Sequence, residues 1–295
     1  MREFSKTTLH AGPLAFSALT EGEGPLVLCL HGFPDGNRSF REQMPALAAA
    51  GYKAVAPFLR GYEPSSQPKD GGYHVVRLAE DVIGWLDDLK ADKVHIVGHD
   101  WGAIVGYAAC TLAPQRFKSL TTIAVPHLRR MNAGIREHPG QLRNSWYMLF
   151  FQLRGFADFA VERQDFAFIE RLWRDWSPGW NYPKEEMDEV KKAFRQPGVL
   201  KAALGYYRAL FDLISPAARE SIRLTSAKVQ VPTLALTGET DGCMDTRLYD
   251  AVMYESDFPK GLKMERLAGA GHFLHQEKPD KVNPLIVEWI KKHSD

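Results

Sequence analysis

The chain has 295 residues, and 45% of them are hydrophobic, which is enough to bury one large α/β core, with or without an insertion. Its 37 basic and 36 acidic residues give a formal net charge of +1, so we expect neither nucleic acid nor membrane as a partner. Three scattered cysteines are too few for a disulfide framework or a zinc site. The first residues, MREFSKTTLHAG, lack an apolar segment, so we expect a cytoplasmic protein without a secretory signal.

Short apolar runs typical of buried strands recur along the first 125 residues and again after residue 231. They are nearly continuous in apolar residues, as expected for strands covered on both faces. The predicted strands are 25–32, 52–59, 93–100, 117–125, 232–238 and a more exposed one at 262–267. Helical patterns lie between or after them, at 75–89, 102–112, 246–254 and 281–292. This alternation predicts an α/β fold with a mostly parallel, doubly wound sheet.

The alternation stops between His127 and Ser226. This segment is rich in aromatic and charged residues and shows helical periodicity without strand signals. Prolines divide it into several helices, at positions 178, 183, 197 and 216. We therefore predict one α/β core, made of residues 1–126 and 227–295, that is interrupted by a helical insertion at 127–226.

Reactive side chains follow several predicted strands, at the edge where open α/β sheets bind ligands. Asp100 lies in GHDWG, Asp241 in GETDG, and His272 directly after GAG. Each alone is explained as a turn residue, so it is their joint placement that indicates a site. A carboxylate on a tight turn can attack saturated carbon and form an ester. His272 would then activate water, and Asp241 would orient its imidazole.

Neighbouring residues compete for two of these roles. Asp245 lies four residues beyond Asp241, and His275 three beyond His272. We prefer Asp241 because it ends the turn straight after the strand, and we assign structural roles to His275, His31 and His99. No cluster has metal-ligand spacing and no glycine loop would cradle phosphate, so we expect no cofactor and no metal.

The order nucleophile, acid, histidine resembles that of the α/β-hydrolase superfamily, in its epoxide-hydrolase branch. The matching motifs are LHGFP (30–34), RGY (60–62), GHDWG (98–102), GETDG (238–242) and GAGHFLHQEKP (269–279). The resemblance implies an α/β-hydrolase fold with the insertion as its lid, and an oxyanion hole formed by the backbone N–H groups of Phe33 and Trp101. One departure is Phe58, where the family usually has an acidic residue. We expect it to affect local hydrogen bonding more than chemistry.

Two segments of the insertion, NSWYMLFFQL (144–153) and LGYYRALF (204–211), resemble those that carry the ring-opening tyrosines of epoxide hydrolases. The matching positions are Tyr147 and Tyr207, whose hydroxyls could stabilise charge on the epoxide oxygen. Packing is the competing explanation, because Tyr147, Phe150 and Phe151 form an aromatic stripe. In the adjacent pair Tyr206 and Tyr207, Tyr206 could equally be the exposed partner.

The resemblance thus implies an enzyme that converts a small apolar epoxide and water to a vicinal diol through an ester on Asp100. A haloalkane or haloacid dehalogenase with the same nucleophile is the first alternative. It is disfavoured by Phe33, where many haloalkane dehalogenases have Asn, and by Trp101, where haloacetate dehalogenases typically have Arg. It stays open because the insertion offers indole donors for a halide, Trp146, Trp173, Trp176 and Trp180. A non-catalytic binding protein is disfavoured by the intact triad, and the sequence leaves a homodimer open.

Overall fold

The centre of the molecule is an eight-stranded sheet, seen in a computed structural model that describes residues 2–294. The strands are β1 (Ser5–Ala11), β2 (Leu14–Glu21), β3 (Leu26–Leu30), β4 (Lys53–Pro57), β5 (Val94–His99), β6 (Phe117–Ile123), β7 (Thr233–Gly238) and β8 (Leu262–Leu267). Their order in the sheet is β1-β2-β4-β3-β5-β6-β7-β8. The pairs β1–β2 and β2–β4 are antiparallel, and the pairs from β4 to β8 are parallel.

All six predicted strands are present, which confirms the mostly parallel α/β sheet. The sequence reading missed the hairpin of β1 and β2 at one edge. Its first strand is largely exposed, with only Leu9 and Ala11 buried, so it lacks the continuous apolar run that marks the central strands.

Helices cover both faces of the sheet, and the side chains of each central strand alternate between the two. In β3, Leu28 and Leu30 pack into one core with helices α2 and α3, while Val27 and Cys29 pack into a second core with α1 and α13. The bounds of these helices are α1 Gln43–Ala49, α2 Val75–Asp88, α3 Trp101–Leu112 and α13 Pro279–Lys292. Because both faces are buried, β3, β5 and β7 are apolar along almost their whole length.

The chain between β6 and β7 is helical, as predicted. It contains α4 (Met131–Glu137), α5 (Gly140–Asn144), α6 (Trp146–Phe150), α7 (Phe156–Trp176), α8 (Lys184–Phe194), α9 (Val199–Ala209) and α10 (Pro216–Ser226). Pro183 and Pro216 mark the starts of α8 and α10. Two further helices, α11 (Arg247–Val252) and α12 (Leu274–Glu277), follow β7 and β8. Within residues 2–294, no helix is both long enough and apolar enough to cross a membrane.

Candidate active site

Asp100 occupies a sharp turn between β5 and α3 at the carboxyl edge of the sheet. Its backbone has φ +52° and ψ −116°, an angle pair that non-glycine residues rarely adopt. The turn can be this tight because glycines, Gly98 and Gly102, lie two residues before and two residues after Asp100. A Cβ added at Gly102 would overlap the carbonyl oxygen of Leu30, and one at Gly98 would overlap that of Gly102. The turn therefore presents the Asp100 carboxylate beyond the strand ends.

One oxygen of this carboxylate is held by the backbone that follows β3. The N–H of Phe33 donates to Asp100 Oδ1 at 2.7 Å. Trp101 is the first residue of α3, where backbone N–H groups have no acceptor within the helix. Both amides thus lie at the turn, and their joint action as an oxyanion hole stays a prediction.

His272 and Asp241 form a buried pair on the other side of Asp100. His272 Nδ1 donates to Asp241 Oδ2 at 2.9 Å, and His272 Nε2 lies 3.7 Å from Asp100 Oδ2. The second oxygen of Asp241 accepts the N–H groups of Cys243 and Met244 at 2.8 and 2.9 Å. Among the described residues His272 Nε2 has no hydrogen-bond partner. The ring is therefore fixed at one nitrogen and available at the other.

Two opposing effects set the pKa of His272. Burial lowers it, but the carboxylates of Asp241 and Asp100 more than offset this and raise the pKa to about 10. His272 is thus an imidazolium while Asp100 is charged. Any reaction that neutralises Asp100 removes one of the two negative charges that stabilise the protonated form of His272.

The residues that compete for the acid and base roles have other partners. Asp245 pairs with Arg247 at 2.6 Å, and His275 Nε2 shares a hydrogen bond with Ser39 Oγ at 2.8 Å. His99 Nε2 donates to the carbonyl of His272 at 3.0 Å. These contacts match the structural roles expected for His275 and His99.

His31 fixes the loop after β3. Its Nε2 accepts the N–H of Leu59 at 3.0 Å, so Nδ1 carries the proton and donates to the carbonyl of Gly32 at 2.9 Å. Burial lowers the pKa of His31 to about 4, which keeps it neutral. Phe58, where the family usually has an acidic residue, packs edge-on against this imidazole.

Tyr147 and Tyr207 meet above the turn. Their rings are 5.5 Å apart, and Tyr207 also packs edge-on against Phe33 and Trp101 at 5.2 and 5.1 Å. Burial raises the pKa of both hydroxyls, and the charge of Asp100 is among the effects that add to this increase. Both hydroxyls therefore stay protonated. Tyr147 contacts only the weak partner Cys243 Sγ at 3.4 Å, and Tyr207 has no partner among the described residues. Both hydroxyls are available to donate.

Tyr206 is not the exposed member of its pair, contrary to that reading of the sequence. It is as buried as Tyr207, because α9 is covered both by the helical insertion and by the core. Its hydroxyl donates to the carbonyl of Arg60 at 2.5 Å. This bond leaves Tyr207 as the member of the pair with a free hydroxyl.

Sequence reasoning missed Cys243 and the specific place of Trp176. Cys243 follows Asp241 by two residues and contacts Tyr147. The carbonyl of Trp176 accepts the N–H of His272 at 3.0 Å, and its ring lies 5.1 Å from that imidazole. Cys243 directly follows the GETDG motif, and this position was a usable signal for it. No signal in the sequence distinguishes Trp176 from the other tryptophans of the insertion.

Two buried clusters bring possible metal ligands within 4.8 Å of one another. They are Asp35 with His99 and His275, and Asp241 with Cys243 and His272. Several of these side chains already share hydrogen bonds, including Asp35 with Gln276 and His272 with Asp241. The expectation of a site without metal stays a prediction.

Comparison with known proteins identifies relatives that share this fold. The α/β hydrolase fold family matches residues 25–279. The AB hydrolase superfamily protein YfhM of Bacillus subtilis is 30% identical over 285 residues, which cover 96% of this chain and 94% of that protein. Epoxide hydrolase 4 of Homo sapiens is 31% identical over 290 residues, 95% of this chain and 77% of that protein. A crystal structure of an epoxide hydrolase from Vigna radiata has a TM-score of 0.82 at 28% identity and covers 99% of both chains.

The fold and the resemblance inferred from the motifs are both confirmed by these matches. The chain belongs to the α/β-hydrolase superfamily and, within it, to the epoxide hydrolase family.

Proposed function

We propose that this epoxide hydrolase converts an apolar epoxide to a vicinal diol through an ester on Asp100. One observation carries the proposal. A carboxylate with one free oxygen lies on a turn against which two buried tyrosines without a strong acceptor pack, and a histidine with a free nitrogen is 3.7 Å from it. That set supplies a nucleophile, two donors to the leaving oxygen and a base.

In the first half-reaction Asp100 Oδ2 attacks an epoxide carbon. Oδ1 accepts the Phe33 N–H, so Oδ2 is the oxygen left free to react. As the carbon–oxygen bond breaks, the hydroxyls of Tyr147 and Tyr207 donate to the epoxide oxygen, and one of them transfers its proton to the alkoxide. The products are an ester on Asp100 and one tyrosinate.

Ester formation prepares His272 for the second half-reaction. The ester is neutral, so the electrostatic support that Asp100 gave to the imidazolium is lost and the pKa of His272 falls. The imidazolium gives its proton to the tyrosinate, which restores the tyrosine hydroxyl; the neutral Nε2 then takes a proton from water, and the hydroxide adds to the ester carbonyl carbon. The resulting oxyanion is stabilised by the N–H groups of Phe33 and Trp101.

Collapse of this intermediate releases the diol. The bond between the former carbonyl carbon and the ester oxygen breaks, and the departing diol alkoxide takes its proton from His272. The proton of the new Asp100 carboxyl passes to His272, which restores the imidazolium beside the charged carboxylate. Epoxide and water are consumed, the diol is formed, and the enzyme returns to its starting state.

We further propose that residues 127–226 act as the lid over a core made of residues 1–126 and 227–295. The lid supplies Tyr147 and Tyr207, while the core supplies Asp100, Asp241 and His272. The site therefore requires the two parts to stay packed together.

Dehalogenation, the alternative with the same nucleophile, has less support. Of the four tryptophans that could donate to a halide, Trp173 donates its indole N–H to the carbonyl of Pro34 at 2.8 Å. Trp146 is 41% exposed, so it does not provide the dry donor that a departing halide needs. Trp176 and Trp180 remain as candidate donors.

Turnover of styrene oxide measured beside that of 1-bromobutane separates the two reactions. We expect diol from styrene oxide and no bromide release from 1-bromobutane. Bromide release without diol formation would favour the dehalogenase. Binding of styrene oxide without any turnover would favour a non-catalytic binding protein.

A further inference from the structure

The outer surface of the lid carries an unusual share of exposed apolar side chains. Among residues 2–294, ten of the twelve large hydrophobic residues that are exposed lie between residues 127 and 226. Six of them form a group that we call the lid patch: Leu142, Trp146, Leu149, Leu153, Phe156 and Phe159. Contiguous apolar patches of this kind mark interaction surfaces on soluble proteins.

Neighbouring members of the lid patch lie on the same side of their helices. Trp146 and Leu149 are three residues apart in α6, and Phe156 and Phe159 are three residues apart in α7. Trp146 and Phe156 both pack against the ring of Phe150, at 5.8 and 6.1 Å, so α6 and α7 bring them together. Leu149, Phe156 and Phe159 are each more than 60% exposed.

Basic side chains without acidic partners surround the patch. Arg143 and Arg154 neighbour its residues in sequence, and the Arg163 guanidinium lies 5.9 Å from the ring of Phe159. Within residues 2–294, none of the three has a carboxylate within 4 Å, and the same holds for Lys201, which lines one cleft together with Arg154.

The acidic side chains near the patch differ in their partners. Asp158, in the first turn of α7, pairs with Arg208, and Asp212, in the cleft, contacts His74 at 2.9 Å. Glu162, beside the patch, and Asp70, in the cleft, are the acidic residues without a basic partner there among the described residues. Directly beside the patch, Arg143, Arg154 and Arg163 thus stand against Glu162 alone, and the unpaired charge there is mainly positive.

We propose that the lid patch docks on an anionic phospholipid surface. Exposed Leu, Phe and Trp side chains with a basic rim are the features of protein segments that lie in the membrane interface. A second copy of the chain fits less well, because a two-fold interface places each patch against itself and would bring the unpaired arginines face to face. The near-neutral charge of the whole chain led us to expect no membrane partner, but it averages over this uneven distribution.

Docking in this way would hold the lid at the interface where apolar molecules dissolve. The lid is also the part of the chain that contributes two of the side chains above Asp100. The docking itself does not depend on the proposed reaction, and it can be measured without turnover.

Sedimentation with vesicles tests the proposal. The wild-type protein is mixed with vesicles of equal parts phosphatidylglycerol and phosphatidylcholine, or of phosphatidylcholine alone, and the pelleted fraction is measured at low and high salt. We expect binding to the mixed vesicles that is weaker without phosphatidylglycerol and weaker at high salt. The same binding to both vesicle types, or none to either, would overturn it.

Two sets of variants identify the surface. Leu149→Ser with Phe156→Ser and Phe159→Ser removes apolar contacts, and Arg143→Glu with Arg154→Glu reverses the rim charge. Each should weaken binding by at least about tenfold. Lys278→Glu with Lys281→Glu, on the core, is the matched charge control, and Met264→Ser is the matched apolar control; both should bind as the wild type does.

Activity on a water-soluble epoxide and oligomeric state complete the experiment. All of these variants should retain wild-type turnover, because none alters a residue of the site, and this result shows that they fold. Light scattering after size-exclusion chromatography should give a monomer. A dimer that the Leu149, Phe156 and Phe159 substitutions dissociate would overturn the proposal and identify the patch as a self-association surface.

Discussion

At the scale of single residues, the site depends on which polar atoms have no protein partner. Tyr206 and Tyr207 are adjacent and equally buried, yet the hydroxyl of Tyr206 bonds to Arg60 while that of Tyr207 has no partner among the described residues. A donor already used in a protein hydrogen bond must break that bond before it can stabilise a developing alkoxide. The proposed chemistry therefore assigns different roles to two neighbouring tyrosines.

This difference can be measured by removing one hydroxyl at a time. Tyr147→Phe and Tyr207→Phe should each lower kcat/KM for styrene oxide by about 10²-fold, the usual cost of losing one donor to a developing oxyanion. Tyr206→Phe is the matched control and should retain activity within about threefold, with a small loss of stability from the missing bond. Full activity in the Tyr147→Phe/Tyr207→Phe double variant would show that these side chains only pack.

The ionisation of His272 links the site to stability. Its pKa in the folded protein, about 10, lies above the unfolded value of about 6.5. The folded state therefore binds the proton more tightly, so this stabilisation is fully present below about pH 6.5 and is lost as the pH rises toward 10.

We expect the Tm of the wild-type protein to fall more steeply between pH 7 and pH 9 than that of His272→Gln. Glutamine keeps a polar side chain of similar size but does not titrate, so it removes this contribution. Thermal melts of both proteins across the pH range provide the comparison. Equal slopes would contradict the raised pKa of His272.

At the scale of elements, four strand ends position the site. The chain leaves β3, β5, β7 and β8 at the same sheet edge and delivers Phe33, Asp100, Asp241 and His272 from there. The turn after β5 imposes the tightest requirement, because α3 crosses so close to β3 that no side chain fits at Gly102.

Gly102→Ala should therefore destabilise the protein by about 1–3 kcal/mol, the usual cost of overpacking, and should lower activity by displacing Asp100. Gly106→Ala, one turn later in α3, is the control. Its new methyl would meet a movable Leu120 side chain at 3.0 Å rather than backbone. Denaturant unfolding of both variants measures the difference, and equal stabilities would show that the turn is not constrained by this contact.

How far the sequence predicts these elements depends on how local the determining forces are. The central strands and the three residues Asp100, Asp241 and His272 could be placed because buried strands are continuously apolar and their ends carry short motifs. The hairpin of β1 and β2 could not, because an exposed edge strand lacks that signal. The different roles of Tyr206 and Tyr207 could not either, since the hydroxyl of Tyr206 is held by the carbonyl of Arg60, 146 residues earlier in the chain.

At the scale of the whole molecule, the proposed reaction is divided between two parts of the chain. In this proposal the core supplies the nucleophile and the base, and the lid supplies the hydroxyls that donate to the epoxide oxygen. The aspartate at the turn fits ester formation at a saturated carbon, and the lid tyrosines favour an epoxide over a halide. This division depends above all on Asp100 supplying the oxygen atom of the first carbon–oxygen bond that forms.

A single turnover in ¹⁸O-labelled water, with enzyme in excess over styrene oxide, tests that claim most directly. If Asp100 forms the ester and water attacks its carbonyl carbon, the diol receives an unlabelled oxygen from the aspartate. Mass spectrometry should then find ¹⁸O in the peptide that contains Asp100 and none in the diol. Label in the diol of this first turnover, with Asp100 unlabelled, would contradict the covalent mechanism.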